Sequence, residues 1–163
     1  WQSVRQEEPI FNVVGIPKDT IHKELKTLSV GYDYVLIDSP PHSASILRSL
    51  LLSSNLLLIP ITPSAMDVWS SKEVVTLLDE AKVYNEDLQG AFLINRKIGN
   101  TTIGREIGVA LEKYQLPVFN TVIGQRVVYA ESMSFGEIVL EYEPNGKASD
   151  EVKALVKEVL TYE

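Results

Sequence analysis

Cysteine is absent from the 163-residue chain. That excludes disulfides, zinc-thiolate centres, iron-sulfur clusters and thiol nucleophiles. Histidine is scarce: His22 and His42 are the only two, and their spacing makes no His-x3-His pair for a metal. Positive charge is in short supply, with 15 Lys and Arg against 22 Asp and Glu, a net charge of −7 and a pI near 4.9. A surface coated in positive charge for nucleic acid is therefore excluded, and any such contact must be local or switched. No apolar run is long enough for a bilayer, because the greasiest stretch, LRSLLLSSNLLLIPI, is broken by Ser53, Ser54, Asn55 and Pro60. No secretory signal opens the chain. Its first residue is Trp1, not methionine, so we expect the sequence to be the later part of a longer protein.

What is present suits one α/β domain. Hydrophobic residues make up 45% of the chain, enough for a single core. Short apolar runs bounded by turn residues predict strands at 10–15 (IFNVVG), 32–38, 55–62 (NLLLIPIT), 91–95 (AFLIN) and 116–123 (LPVFNTVI). Between them, apolar spacing and capping residues predict helices after Pro17, from Ser43 or Ser45 through Leu51, over 68–84, from Thr101 or Thr102 through Leu111, near 128–132, and over 149–160. The stretch EIVLEYEPNG reads as irregular, and Trp69 beside Val68 reads as core or interface packing. Strands alternating with helices imply parallel βαβ units, hence a doubly wound, mostly parallel sheet with helices on both faces. No internal repeat or low-complexity tract stands out.

The chemistry centres on YDYVLIDSPPHS at 32–43. A buried-type strand runs into Asp38, and Pro40 and Pro41 then forbid continuation as helix or ladder. Ligands of parallel α/β sheets lie beyond the carboxyl ends of the strands, so an acid there faces the usual site. The alternative is local, since an Asp in this position also serves as a turn former or helix N-cap. Asp38, Ser39 and His42 are too close in sequence for a hydrolase triad, and there is no G-x-S-x-G elbow.

Four stretches, YDYVLIDSPP, LLLIPITPSAMD, AFLINRK and TVIGQRVVYAESMSFGEIVLEY, followed by a basic helix-forming tail, resemble the later two thirds of a ParA-type partition ATPase. That family is a relative of MinD and the nitrogenase iron protein in the deviant Walker P-loop class. The resemblance implies a P-loop NTPase-like fold that here lacks its first, P-loop strand. It assigns Asp38 to the Walker B acid holding Mg2+ through water, and Ser39, Pro40 and Pro41 to a switch segment sensing the γ-phosphate of ATP. It places Asn95 against the adenine edge, and Gly124, Gln125 and Arg126 in the loop that wraps the base. Asn95 reads otherwise as a strand-end turn residue. Gly124 stands where many relatives have proline. The resemblance also implies an ATP-dependent homodimer, in the cytoplasm at the nucleoid, that binds nonspecific DNA and a ParB-like centromere-binding protein, with no membrane. The basic positions available for DNA are Lys113, Lys147 and Lys153, with Arg105 and Arg126 as outsiders; each lysine alone reads more readily as a solvated surface residue.

The main departure is that no G-x-x-x-x-G-K-[ST] loop occurs. On the resemblance, the phosphate cradle and the catalytic residues are expected upstream of Trp1, and these residues alone are not expected to hydrolyse ATP. The sheet is then expected to have an unpaired central edge, which the missing part or another chain must cover. Two other readings are a non-enzymatic adaptor of the same fold without a P-loop, and a phospho-receiver module using Asp38 and Thr62.

Overall fold

Three apolar runs pair side by side as one parallel sheet: Leu56–Ile61 (β1), Gln89–Lys97 (β2) and Val118–Gly124 (β3), in the order β1-β2-β3. The structure is a computed structural model and describes residues 3–16, 20–40, 43–99 and 101–162. β1 and β2 run in unbroken register from Leu56 opposite Gln89 to Ile61 opposite Ile94, whereas β2 and β3 shift register twice, between Phe92 and Ile94 and between Ile94 and Lys97. Seven helices flank the sheet among the described residues: Ile21–Leu28 (α1), Ala44–Leu51 (α2), Ala65–Lys82 (α3), Thr102–Leu111 (α4), Val128–Ser134 (α5), Val139–Tyr142 (α6) and Lys147–Val159 (α7).

The period-2 alternation of the strands splits the core into two layers. Ile59, Ile61, Phe92 and Ile94 pack with Val68 and Val75 of α3 and Ile107 and Leu111 of α4. The alternate positions Ala91, Leu93 and Phe119 meet Leu155 and Val159 of α7 and the ring of Tyr162 on the opposite face. Helices on both faces of a parallel sheet make a doubly wound α/β fold, as the alternation of segments implies. A second layer joins Leu51 of α2 to Leu77, Leu78 and Ala81 of α3, and Gly90 lets β2 approach Leu78 where a side chain would collide with it.

Local chemistry fixes the helix starts. α3 begins at Ala65 because the Ser64 hydroxyl accepts from the Asp67 N–H at 3.1 Å, while the Asp67 carboxylate takes the Ser64 hydroxyl at 3.0 Å and the Thr62 N–H at 3.1 Å. That reciprocal cap starts the helix three residues before apolar spacing alone would. The Thr101 hydroxyl likewise accepts from the Gly104 N–H at 3.2 Å to open α4. Part of the stretch read as irregular forms α6, where the Ile138 N–H donates to Glu141 at 3.0 Å.

Two expected strands are not strands. Residues 10–15 and 32–38 carry no ladder, and Leu36 is 99% exposed. Their sequences are strand-like, but a parallel strand exists only beside a neighbour that takes its backbone groups, and among the described residues no strand pairs with the outer edge of β1. Trp69 is 65% exposed on α3, which excludes core packing and leaves the interface reading, and Val156, which apolar spacing along 149–160 groups with Val152, Leu155 and Val159 as buried, is 49% exposed on α7. No helix among the described residues is long and apolar enough to cross a membrane.

Leu78 is fully buried between α2, α3 and β2. Leu78→Ala is expected to cost about 2–5 kcal/mol through lost burial and the cavity left behind. Urea unfolding checks this as a fall in midpoint at unchanged slope.

Candidate functional site

The carboxyl ends of β2 and β3 bring four of the sequence-derived residues together. Lys97 lies opposite Gly124, and the Gln125 N–H donates to the Lys97 carbonyl at 3.0 Å. Asn95, two residues before Lys97, therefore shares one end of the sheet with Gly124, Gln125 and Arg126. The backbone there departs from a regular ladder. Arg96 takes φ 52°, a left-handed conformation uncommon for a residue with a side chain, at the second of the two β2–β3 register shifts. The Asn95 Oδ1 accepts from the Arg96 N–H at 2.9 Å, which steadies that turn and leaves the Nδ2 amine as the donor on that side chain. Such strain at a strand end is concentrated at binding sites.

A carboxylate on the neighbouring helix holds the loop after β3. Glu151 of α7 accepts from the Gly124 N–H at 3.2 Å, from the Arg126 Nε at 3.1 Å and Nη2 at 2.5 Å, and lies 3.2 Å from the Tyr129 hydroxyl. The Tyr129 hydroxyl also lies 3.2 Å from the Ala148 carbonyl. Glycine suits position 124, since a side chain would crowd Glu151 and Arg126, and proline there would remove the N–H that Glu151 takes. Burial alone would raise the Glu151 carboxyl, but the hydrogen bonds from Arg126 and the Gly124 N–H, the charge of Arg126 and the Tyr129 contact outweigh it and hold it below the ordinary carboxylate range. Burial and the adjacent Glu151 charge push the Tyr129 phenol up to about 12.

Seven residues further along α7, Glu158 accepts from the Asn120 N–H at 2.6 Å and the Thr121 N–H at 2.8 Å. Its burial acts upward, and the hydrogen bonds from Thr121 and Asn120 bring it below the ordinary value. At the other end of the chain, Arg5 grips Glu141 with two bonds of 2.7 and 2.8 Å and donates to the Gly136 carbonyl at 3.1 Å. The Arg5 hydrogen bond and the Ile138 N–H hold Glu141 down to about 2.

The other candidate residues stand apart from this cluster. Asp38, Ser39 and Pro40 are exposed on the segment that forms no strand, and Pro41 and His42 lie outside the described residues. Lys113 follows α4, with its amine 4.9 Å from the Tyr114 ring centroid. Lys147 is the first residue of α7, and Lys153 donates to the Pro144 carbonyl at 2.8 Å. α7 runs antiparallel to β3, since Glu151 meets Gly124 and Glu158 meets Asn120. Lys147 therefore sits at the carboxyl end of the sheet, while Lys113 precedes β3 at its amino end. Arg105 reaches only the Thr102 hydroxyl, at 3.3 Å. Sequence reading passed over Arg96, Tyr129 and Glu151. Their signal was weak, because one is an ordinary strand-end arginine and the others become partners only through tertiary packing.

A doubly wound parallel sheet with a strained, polar cluster at its carboxyl end is the arrangement of P-loop NTPase-like domains. A family model described as an AAA domain matches residues 5–90. The chain is 27% identical over 140 residues to maintenance of carboxysome distribution protein A of Halothiobacillus neapolitanus, covering 85% of this chain and 65% of that protein. It is 33% identical over 81 residues to plasmid partition protein A of Escherichia coli, covering 49% of this chain and 20% of that protein. With sporulation initiation inhibitor protein Soj of Bacillus subtilis it shares 23% identity over 145 residues, 85% of this chain and 56% of that protein. The chain belongs to the ParA-type partition ATPase family. It spans less than two thirds of the length of these relatives.

The depressed carboxylates set an acid sensitivity. Glu151, Glu158 and Glu141 each bind protons more weakly folded than unfolded. Their stabilisation is therefore complete above the unfolded pKa of about 4.3 and is lost as pH falls through the folded values. Chemical denaturation between pH 6 and 3 is expected to show stability falling with acid, with a shallower fall in Glu151→Gln. Equal slopes in the two proteins would remove Glu151 from the account.

Proposed function

We propose that this chain is the Walker B and base-binding portion of a ParA-like ATPase for plasmid or chromosome partition. The observation that carries the reading is the meeting of Asn95 with Gly124, Gln125 and Arg126 at the carboxyl ends of adjacent parallel strands. There Asn95 offers its Nδ2 amine to an acceptor of the adenine ring, and the 124–126 loop lines the base with its backbone. Arg126 is already paired with Glu151, so its role is to shape the loop. Asp38 is a hard oxygen donor for Mg2+. Mg2+, when bound with ATP, neutralises charge on the phosphates. Ser39 and Pro40, with Pro41 beyond them, form the switch next to that acid.

On this reading the phosphate-cradling strand and loop precede Trp1, and the strand enters between β1 and residues 32–38. It would give β1 its missing neighbour and convert 32–38 into the strand that its sequence describes. ATP closes a homodimer, the dimer holds nonspecific DNA through phosphate contacts, and a ParB-like centromere-binding protein stimulates hydrolysis and release. The Halothiobacillus relative, whose name concerns carboxysome distribution, supports extending the cargo beyond DNA. Lys147 and Lys153 belong to one DNA-facing patch at the carboxyl end of the sheet, and Lys113 to a separate one. The place of action is the cytoplasm, at the nucleoid.

In the whole natural protein, Asp38→Asn is expected to lower Mg2+-dependent ATP hydrolysis by about a hundredfold or more. A rate within a few-fold of the parent would remove the magnesium role, and the ATPase reading fails if the parent itself neither binds nor hydrolyses ATP. Lys113→Ala and Lys147→Ala are each expected to reduce the salt slope of DNA binding by about one. Full DNA affinity in the double variant would eliminate both lysines.

A further inference from the structure

The outer edge of β3 is held by two carboxylates from one helix. Glu151 takes the Gly124 N–H and Glu158 takes those of Asn120 and Thr121. The spacings match: seven residues of helix rise about 10.5 Å, and the three residues from Thr121 to Gly124 span about 10 Å of strand. Both glutamates therefore fall on the same side of α7, two turns apart, each opposite backbone donors that an edge strand leaves unpaired. An antiparallel helix so fastened moves with its strand. The far point, Glu158, grips the strand body, whereas the near point, Glu151, grips the first residue of the base-side loop and its Arg126 side chain.

The near point reaches further in both directions. Through Gly124 and Arg126 it touches the loop that follows β3, which is itself bonded to β2 by the Gln125 N–H and the Lys97 carbonyl. Through the Tyr129 hydroxyl, between Glu151 and the Ala148 carbonyl, it touches the first turn of α7, where Lys147 sits. Glu151 is thus the junction between α7, the strained end of β2 and the start of α5. It is a poor choice for stability alone, because a half-buried charge carries a desolvation cost that a packed apolar residue would avoid.

We propose that Glu151 is a positioning residue that couples the base-side loop to the first turn of α7, so that occupation of the loop by a nucleotide is transmitted to the surface carrying Lys147. The inference rests on the nucleotide reading above. It assigns different duties to the two clamps: Glu151 transmits, and Glu158 only holds. Coupling of this kind needs a connected element that both sites bias, and the hydrogen-bonded path from Gly124 to Glu151, and through the Tyr129 hydroxyl to the Ala148 carbonyl, is the one we assign.

The test is amide hydrogen exchange on the whole natural protein with and without Mg-ATP, comparing peptides that cover 93–97 and 147–153. In the parent, ATP is expected to slow exchange in both. In Glu151→Gln, protection of 93–97 by ATP persists while the change at 147–153 is lost. In Glu158→Gln, exchange rises around 118–122 yet the response of 147–153 to ATP remains. Tyr129→Phe, which keeps the ring and removes only the hydroxyl, supplies the same test should the Glu151 variant fold poorly; it is expected to diminish the ATP response at 147–153 severalfold. An undiminished response at 147–153 in both the Glu151 and the Tyr129 variants overturns the coupling while leaving the nucleotide reading intact. Absence of any ATP effect at 93–97 in the parent overturns the base-side reading itself, and the coupling with it.

Discussion

A strand exists only where a neighbour takes its backbone N–H and C=O groups, and this constraint decides most of what the chain does. β2 has neighbours on both sides and carries buried residues from Gly90 through Ile94. β3 has one neighbour, and its other edge is occupied by Glu151 and Glu158. β1 has one neighbour, and among the described residues no strand pairs with its outer side. The two further strand-like segments, 10–15 and 32–38, therefore lie along the surface with Phe11, Tyr34 and Leu36 largely exposed. The sheet is closed at one edge by side chains and open at the other.

That asymmetry bears on the proposed function because Asp38 lies on one of the segments that form no strand. The base-side cluster needs only β2, β3 and α7, all of which are paired and packed, and so it is assembled within these residues. On the proposed reading, the magnesium acid and the switch depend on a strand that must find its neighbour elsewhere. On the proposed reading, the nucleotide site is shared between an assembled half and a half that forms when the sheet is completed.

Legibility in the sequence followed the same division. The apolar runs at 55–62, 91–95 and 116–123 and the helices between them were readable because their periodicity and capping residues agree with their final packing; Ser64 and Thr101 cap as their positions imply. Residues 32–38 were read as a buried strand for sound reasons of composition, and the ladder is missing for a reason composition does not hold, namely the absence of a partner. Asn95 and 124–126 stood out through their motif, and they share one end of the sheet. Glu151 did not, since an acidic residue on an amphipathic helix looks like solvated surface until the helix is laid along β3 and its carboxylate meets Gly124 and Arg126. Trp69 was readable only as core or interface, because size and hydrophobicity alone do not say which side of a helix faces the core.

The most direct measurement of the account is amide exchange along residues 34–38 in the protein read from its natural start. If a preceding strand fills the edge of β1, these amides are expected to be slowed by about a thousandfold or more relative to an unstructured chain, as in a central sheet strand. Exchange at the unprotected rate there, with β2 fully protected in the same sample, would contradict the claim that this sheet is completed at β1 and that Asp38 is carried to the site by a strand.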